Sequence, residues 1–359
     1  MIVRTARRKS LTLQTPPVML SFSTMKEDST AIIDLPDVGQ MKIVVIGGGH
    51  GLSAILRGLK KYQFDLTAVV TVADDGGSSG ALRRDIGVLP PGDIRSCLAA
   101  LSADEEFFSQ VLQYRFSTDS GVGGHNLGNL LLTALADITG SFEQGIQELA
   151  KILAIRGTVT PSTLEDVNLV ARVETTTNGI FQQIDVFGES NITKQNGIIR
   201  NLMIQPENVS ANPEAIRAIL AADLIAMGPG SLYTSILPNL KVRGIAQALN
   251  AARGKKVYIC NVSTQPGETD RYSCYDHAMV IQSALQNTVL DAVICNDFHE
   301  QDVPENVSWV KISQRLLDEF TVFHENLVDE KFPWRHDSDK LSKMLVQVYQ
   351  SLASSENRI

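Results

Sequence analysis

Cysteine is scarce in this chain and is never closely paired. Its four cysteines are scattered at Cys97, Cys260, Cys274 and Cys295, and no C-x-x-C motif occurs. Disulfide frameworks and zinc sites both rely on cysteines at short, regular spacings. The sequence therefore indicates neither kind of site, and a reducing cytoplasm is the compartment that this cysteine usage favours.

Long apolar runs and a surplus of basic residues are also missing. No stretch approaches the roughly 20 apolar residues that cross a bilayer, so we expect no membrane insertion. The formal net charge of -8 argues against general affinity for nucleic acid, because such binding depends on a surplus of lysine and arginine. With 359 residues, of which 43% are hydrophobic, the chain can form one large α/β domain or two modest ones.

The H-E-x-x-H motif and the G-x-x-x-x-G-K-[ST] motif are absent as well. The metalloprotease and Walker-type ATPase classes therefore have no local support. No catalytic residue is predicted from the sequence.

Residues 1–40 differ in composition from the rest of the chain. Basic residues between Arg4 and Lys9 lie among Ser and Thr and are followed by Pro16-Pro17. The apolar region and small-residue cleavage site of a secretory signal are missing, although a targeting peptide of another kind stays an alternative. We predict a flexible N-terminal extension over 1–40.

From Met41 onward, apolar runs of strand length alternate with segments of helical periodicity. This alternation predicts a Rossmann-like, mostly parallel sheet flanked by helices, in a single α/β domain over 41–359. The predicted strands are Ile43–Ile46, Leu66–Val72, Leu224–Met227, Val257–Cys260 and Ala292–Cys295. The predicted helices are Asp93–Leu101, Glu105–Tyr114, Leu127–Ile138, Glu143–Leu153 and a C-terminal helix over 338–353.

An antiparallel excursion is predicted near 169–205. Two strand-like segments there, Leu169–Val173 and Ile180–Ile184, flank Asn178-Gly179, a pair typical of tight hairpin turns. The pattern indicates a β insertion in the α/β domain.

A glycine-rich loop follows the first predicted strand. It reads Gly47-Gly48-Gly49-His50-Gly51 and opens onto a helix-like segment. Bare backbone N–H groups at a helix start suit a phosphate. The loop also fits the dinucleotide template as Gly49-x-Gly51-x-x-Ala54, with Asp74 after the next strand, but a lone match is weak and a turn without ligand is the alternative.

Four further polar or glycine-rich loops follow predicted strands or open helices. They span 74–80, 121–129, 228–231 and 261–267. Loops beyond the carboxyl ends of parallel strands converge on one crevice, so together they favour a large phosphate-bearing ligand. Asp74 and Asp75 could hold Mg²⁺, bind a ribose, act as a general base or form a solvated turn. His125 could contact phosphate, transfer protons or cap a turn.

These motifs resemble those of a known family. The strings GGGHGLSAILRGLKKY from Gly47, ADDGGSSG from Ala73, GGHNLGNLLLTAL from Gly123, GPGSLYTSILPN from Gly228 and VYICNVSTQPGETD from Val257 are similar to the YvcK group of gluconeogenesis factors. That group belongs to the CofD-like superfamily, whose CofD members are 2-phospho-L-lactate transferases. The resemblance runs from Met41 to the C-terminal helix.

The resemblance implies a cytoplasmic, often homodimeric protein that binds UDP-sugars and regulates carbon-source adaptation, cell shape and peptidoglycan precursor supply. The alternatives are a Mg²⁺-dependent CofD-like transferase and an NAD-dependent oxidoreductase. Asp74 and Asp75 would contact the ligand or Mg²⁺. Where the family has Thr this chain has His50, which replaces a hydroxyl with a titratable ring. By the same resemblance, the ligand-binding residues would be Gly47, Gly48, Gly49, His50, Asp74, Asp75, Ser78, Ser79, His125, Asn126, Asn129, Gly228, Gly230, Ser231, Asn261, Thr264 and Gln265.

Overall fold

The structure is a computed structural model that describes residues 41–117, 121–177, 180–195 and 197–356. The extension predicted for residues 1–40 and the predicted Asn178-Gly179 turn lie outside these residues. Among the helices that are described, none is long and apolar enough to cross a membrane.

The described residues form two sheets and a set of helices. The strands are β1 (Lys42–Gly47), β2 (Asp65–Val70), β3 (Thr158–Pro161), β4 (Asn168–Thr177), β5 (Ile180–Phe187), β6 (Ile198–Gln205), β7 (Leu224–Met227), β8 (Lys255–Ile259), β9 (Ala292–Asn296) and β10 (Val322–Glu325). The α-helices are α1 (Gly49–Leu59), α2 (Gly77–Ile86), α3 (Gly92–Leu101), α4 (Glu105–Gln113), α5 (Leu127–Thr139), α6 (Phe142–Ile152), α7 (Glu189–Ile192), α8 (Pro213–Ala221), α9 (Leu237–Lys241), α10 (Ile245–Ala251), α11 (Cys274–Leu285), α12 (Gln314–Glu319) and α13 (Ser338–Glu356). A π-helix spans Leu232–Ile236.

The larger sheet is parallel and has the strand order β10-β9-β8-β7-β1-β2-β3. Its central strands are buried on both faces, which explains their unbroken apolar runs. In β1, Val44 and Ile46 pack in one hydrophobic core and Ile43 and Val45 in the other. The predicted parallel sheet flanked by helices is confirmed.

The strand order reverses beside β1. After β1 the chain crosses through α1 to β2 on one side, and it later returns to place β7 on the other side. This is a topological switch point, where ligands of open α/β sheets bind. The loops after β1 and β7 therefore lie next to each other.

The smaller sheet is antiparallel and has the order β5-β4-β6. It confirms the predicted excursion. Leu169, Ala171 and Val173 of β4 are buried in the same core as Val44 and Ile46 of the large sheet. The antiparallel sheet thus packs against one face of the large sheet.

Predicted and observed element boundaries agree within a few residues, and α13 extends the predicted C-terminal helix to Glu356. The sequence did not predict strands β3, β6 and β10, helix α2 or the helices from α7 to α12. Helix α2 begins inside the Asp74–Gly80 loop, where Gly and Ser are weak helix formers. Its formation depends on tertiary packing of residues such as Leu82, which is buried.

Helix α13 covers α1 through an apolar stripe. Leu341, Leu345 and Val348 are fully buried together with Leu52 and Ile55 of α1. We expect Leu345→Ala to lower the free energy of unfolding by about 2–5 kcal/mol, because it leaves a cavity in this core. Chemical denaturation measures the change.

The exposed Lys343 on the same helix supplies a matched control. Lys343→Ala should change the free energy of unfolding by less than about 0.5 kcal/mol. Equal effects of the two substitutions would contradict the packing of α13 on α1.

Candidate ligand-binding site

The glycine loop after β1 is packed tightly against its neighbours. A Cβ atom on Gly48 would lie 2.5 Å from Asp93 Oδ2 and 2.7 Å from Thr71 Cγ2. A Cβ atom on Gly51 would lie 2.5 Å from the Pro229 carbonyl oxygen. Glycine is therefore required for close approach to α3 on one side and to the Gly228–Ser231 loop on the other.

Gly49 differs because a Cβ atom there would make only an ordinary van der Waals contact. Among the described residues, its nearest neighbour within 4 Å would be Ser235 Oγ, at 3.6 Å. The backbone φ is +64°, in the left-handed region that disfavours side chains. The start of α1 is thus accessible to a ligand from the Gly49 side.

Three helices that open from glycine-rich loops have no side-chain cap. The residue at the N-cap position of α1, α2 and α5 makes no side-chain hydrogen bond to the start of its helix. In other described helices such caps exist, and they are provided by Asp104, Ser141, Asn212, Ser273 and Ser313. Uncapped N–H groups at helix starts bind anions.

The uncapped helix starts are linked by direct contacts. Ser78 of α2 bonds to His125 and Asn129 at the start of α5. Asp93 near the start of α3 accepts a hydrogen bond from the Gly49 backbone. A Cβ atom on Gly92 would lie 2.5 Å from Ser79 Oγ and 3.0 Å from Asp74 Oδ2, which joins α3 to α2.

The loops after β7 and β8 are joined by side-chain amides. The Gly230 N–H donates to Asn261 Oδ1 over 3.3 Å, and Asn261 Nδ2 donates to Gln265 Oε1 over 3.1 Å. Gln265 Nε2 in turn donates to Ser231 Oγ over 2.6 Å. Thr264 bonds instead to the backbone of Ser308, through its Oγ1 and its N–H, and so shapes the loop from behind.

Asn239 supports the glycine loop from the protein interior. It is fully buried, and its Nδ2 donates to the carbonyl oxygens of Gly47 (3.1 Å) and Ser235 (2.8 Å). The sequence pattern offered no signal for this residue, because an Asn within a helix has no diagnostic spacing.

The two adjacent aspartates have different partners. Asp75 Oδ1 accepts hydrogen bonds from the Ser190 N–H (2.9 Å) and Ser190 Oγ (2.7 Å), which ties α7 of the antiparallel excursion to the crevice. Asp74 Oδ1 accepts one from the Gly76 N–H (2.8 Å). The Asp75 side chain therefore stabilises the fold, while the Asp74 side chain lies near the carboxyl groups of Asp93 and Glu189.

Burial and mutual proximity raise the pKa of two carboxyl groups near these loops. Burial, and next the Asp74 charge, raise the pKa of Asp93 to about 6. Burial, and next Asp74 and Asp93, raise the pKa of Glu189 to about 9. Glu189 lies in α7, where the sequence gave no indication of a site residue.

No three His, Cys, Asp or Glu side chains in the described ranges are arranged to hold a metal ion. Asp75 Oδ1 accepts hydrogen bonds from Ser190, and Asp74 Oδ1 accepts one from the Gly76 N–H. A role of Asp74 and Asp75 in binding Mg²⁺ stays a prediction.

Positive charge lies near the glycine loop. Burial, and next the charges of Arg335, Arg95 and Arg57, lower the pKa of His50. Arg95 makes no ion pair within the described part of the chain, and its Nε is buried without a hydrogen-bond partner. None of these arginines was predicted, since no motif marks them.

Ser78 lies in a string, Gly76 to Gly80, that matches the G-x-S-x-G pattern of α/β-hydrolases. In those enzymes the serine sits exposed on a sharp strand-to-helix turn. Here Ser78 is in the first turn of α2, is buried, and accepts hydrogen bonds from Asn126 and Asn129. The match is therefore formal and does not indicate a nucleophile.

A comparison with known protein families identifies the family of this chain. The model of the family described as 2-phospho-L-lactate transferase CofD matches residues 43–352. The chain belongs to the CofD family. The gluconeogenesis factor of Bacillus subtilis is 42% identical over 319 residues, which cover 86% of this chain and 98% of that protein. That of Listeria monocytogenes is 43% identical over 311 residues, which cover 85% and 94% of the two chains.

A solved structure shares the fold. The crystal structure of a UPF0052 family member from Bacillus halodurans has a TM-score of 0.78 and 38% sequence identity, covering 86% of this chain and 99% of that one. The family resemblance that the sequence motifs indicated is therefore confirmed.

For the UDP-sugar that the family resemblance implies as ligand, we expect Gly49→Ala to weaken binding at least about tenfold, because the added methyl group would block charge-assisted N–H bonds at the α1 start. Titration calorimetry measures the affinity. Gly140→Ala is the control, since Gly140 has φ +73° at the far end of α5 and a Cβ atom there meets nothing within 4 Å.

Both substitutions place alanine in a left-handed conformation, so both should cost about 1 kcal/mol of stability. Only Gly49→Ala should lose affinity. Equal affinities of the two variants would show that the start of α1 is not part of the binding site.

The raised pKa of Asp93 predicts a pH-dependent stability. Because the native state holds this proton more tightly than the unfolded chain does, its contribution is complete below the ordinary value of 3.8 and is lost as pH rises through about 6. Asp93→Asn should therefore gain on the order of 1–2 kcal/mol relative to wild type between pH 4 and pH 7.5.

Thermal unfolding of both proteins across this range provides the measurement. Asn retains an oxygen that accepts from the Gly49 N–H, so the comparison isolates the charge. A stability difference that does not change with pH would contradict a proton held at Asp93.

Proposed function

We propose that this protein is a regulatory, UDP-sugar-binding gluconeogenesis factor. The observation that carries the proposal is the convergence of three uncapped helix starts and two glycine-rich loops at the switch point beside β1. A diphosphate presents several acceptor oxygens and no donors, which suits a cluster of unpaired N–H groups and the partly buried Arg95.

The carboxyl groups suit the sugar part of such a ligand. Glu189 is protonated at neutral pH because its pKa is raised to about 9. A neutral carboxyl group does not repel a neighbouring phosphate, and it both donates and accepts hydrogen bonds with sugar hydroxyls. Asp74 provides a further acceptor oxygen beside it.

Two buried polar atoms near these loops lack a hydrogen-bond partner, which supports ligand binding in this region. Asn126 Oδ1 and Arg95 Nε are buried and form no hydrogen bond within the described residues. Each unsatisfied atom of this kind costs about 1–3 kcal/mol, so a ligand or water that bonds to them stabilises the bound state.

The wider role follows from the relatives. The gluconeogenesis factors of Bacillus subtilis and Listeria monocytogenes share most of their length with this chain. We propose a cytoplasmic, homodimeric regulator whose ligand reports on carbon supply and whose output affects cell shape and peptidoglycan precursors.

A CofD-like transferase is the second candidate. The matching family is named for 2-phospho-L-lactate transferase, and Asp74, Asp93 and Glu189 lie beside the phosphate-binding loops. Carboxylates in that position can orient Mg²⁺ and a phosphorylated donor. The regulator ranks first because the relatives that share most of their length with this chain are gluconeogenesis factors.

A thermal-shift screen followed by chromatography tests both candidates. UDP-N-acetylglucosamine, UDP-glucose, GDP and NAD are compared, and a ligand at about 100 times its Kd should add about 2.7 kcal/mol to the free energy of unfolding. We expect a UDP-sugar to give the largest shift and to be recovered intact after hours of incubation with Mg²⁺.

The other outcomes discriminate between the candidates. Steady consumption of the UDP-sugar, or turnover of a nucleotide-linked phospholactate, would favour the transferase. A larger shift with NAD would favour an oxidoreductase. The absence of a shift with every uridine nucleotide would overturn the proposal.

A further inference from the structure

A chain of four side chains runs from the partly buried Arg95 to the half-buried His125. Arg95 Nη1 lies 3.0 Å from Asn129 Oδ1, Asn129 Nδ2 lies 3.1 Å from Ser78 Oγ, and Ser78 Oγ lies 3.1 Å from His125 Nδ1. Helices α3, α5 and α2 each supply part of this chain. We call Arg95, Asn129, Ser78 and His125 the relay.

The direction of each hydrogen bond in the relay is fixed by chemistry. A guanidinium group only donates, so the Asn129 atom that faces Arg95 must be its carbonyl oxygen. The Asn129 amide nitrogen then faces Ser78 and donates to it. The Asn126 backbone N–H, 3.4 Å from Ser78 Oγ, also donates.

Ser78 Oγ therefore accepts two hydrogen bonds, which engage both of its lone pairs. Its hydroxyl hydrogen has one remaining neighbour in this arrangement, His125 Nδ1. An acceptor nitrogen carries no proton, so the neutral imidazole carries its proton on Nε2. A proton on Nδ1 would instead place a third donor against Ser78 Oγ.

His125 is also held by its backbone. Its N–H donates to the Val122 carbonyl oxygen over 3.2 Å, and its carbonyl oxygen accepts from the Phe116 N–H over 3.1 Å. His125 is half-buried, and its Nε2 is not among the buried side-chain atoms that lack a hydrogen-bond partner in the described chain.

We infer that the relay fixes His125 as the Nε2–H tautomer and thereby makes it a dedicated hydrogen-bond donor to an acceptor oxygen of the ligand. Arg95, Asn129 and Ser78 are positioning residues, because each acts through its neighbour. A phosphate or carbonyl oxygen satisfies such a donor, whereas a hydroxyl or ammonium hydrogen does not. The inference rests on the proposed function only for the identity of the ligand.

Nitrogen-15 NMR of the histidine-labelled full chain reads the tautomer directly, without any ligand. The protein has six histidines, and the spectrum of His125→Gln identifies the missing signals. At pH 8 we expect the Nε2–H tautomer at His125. A predominant Nδ1–H tautomer, or a mixture of the two, would overturn the inference.

Asn129→Asp tests the relay itself. The nearly isosteric carboxylate can only accept, so Ser78 must donate to it, and Ser78 Oγ then has a lone pair free for a hydrogen from His125. The His125 tautomer should switch to Nδ1–H. A variant that folds, by circular dichroism, and keeps the Nε2–H tautomer would show that Asn129 does not set it.

Ser78→Ala is the second variant, because it removes the link to His125 and adds no bulk. His125 should then populate both tautomers. An unchanged tautomer in this variant would contradict a role of Ser78 in fixing the ring.

Binding of UDP-N-acetylglucosamine provides a readout of function. The amide nitrogen of Gln lies near the position of histidine Nε2, and that of Asn lies near Nδ1. We expect His125→Gln to lose less than about threefold in affinity and His125→Asn about tenfold or more.

The two failures are distinguishable. No binding of any uridine nucleotide by the wild type, with the Nε2–H tautomer in place, would contradict the proposed function and leave the relay intact. Normal binding by wild type, with equal losses for the Gln and Asn variants, would overturn the assignment of His125 as a donor through Nε2.

Discussion

Close backbone approach at the switch point is the constraint on which the rest of the site depends. Gly48 lies against Asp93, and Gly51 lies against the Pro229 carbonyl, at distances that leave no room for a Cβ atom. These contacts bring α1, α3 and the loop after β7 together beside β1. Ser79 and Asp74 at the start of α2 join this junction through their close approach to Gly92 of α3.

The same junction sets the electrostatics of the site. Because Asp93 is held at the glycine loop and near Asp74, its negative charge is poorly hydrated and its pKa rises. Glu189 arrives from the antiparallel excursion, which Ser190 fastens to Asp75. The excursion therefore does more than cover the core, since it brings a protonated carboxyl group to the same crevice.

The sequence predicted the parallel sheet, the antiparallel excursion and the convergence of the strand-end loops. These depend on local patterns: apolar runs, glycine turns and the rule that parallel strands end at one edge. The partners of Asp75 could not be predicted, because Ser190 is 115 residues away and its approach depends on tertiary packing.

Arg95 and Glu189 were missed for a related reason. Arg95 lies inside α3 and Glu189 in a four-residue helix, and neither position carries a motif. Thr264 shows the opposite error, since it belongs to a motif-rich loop but bonds to Ser308. A motif identifies the loop, whereas the direction of each side chain depends on contacts made across the fold.

The distribution of helix caps links stability to binding. A side-chain cap contributes about 1 kcal/mol, so the uncapped starts of α1, α2 and α5 together forgo a few kcal/mol that the capped helices obtain. Gly48, Gly76 and Asn126 occupy the cap positions, and the Asn126 side chain makes no capping bond although Asn is a favoured cap. A ligand that accepts from these N–H groups restores the missing hydrogen bonds, so its binding free energy adds directly to the free energy of unfolding. Under the proposed function, the stability of this protein is therefore coupled to ligand binding through these N–H groups.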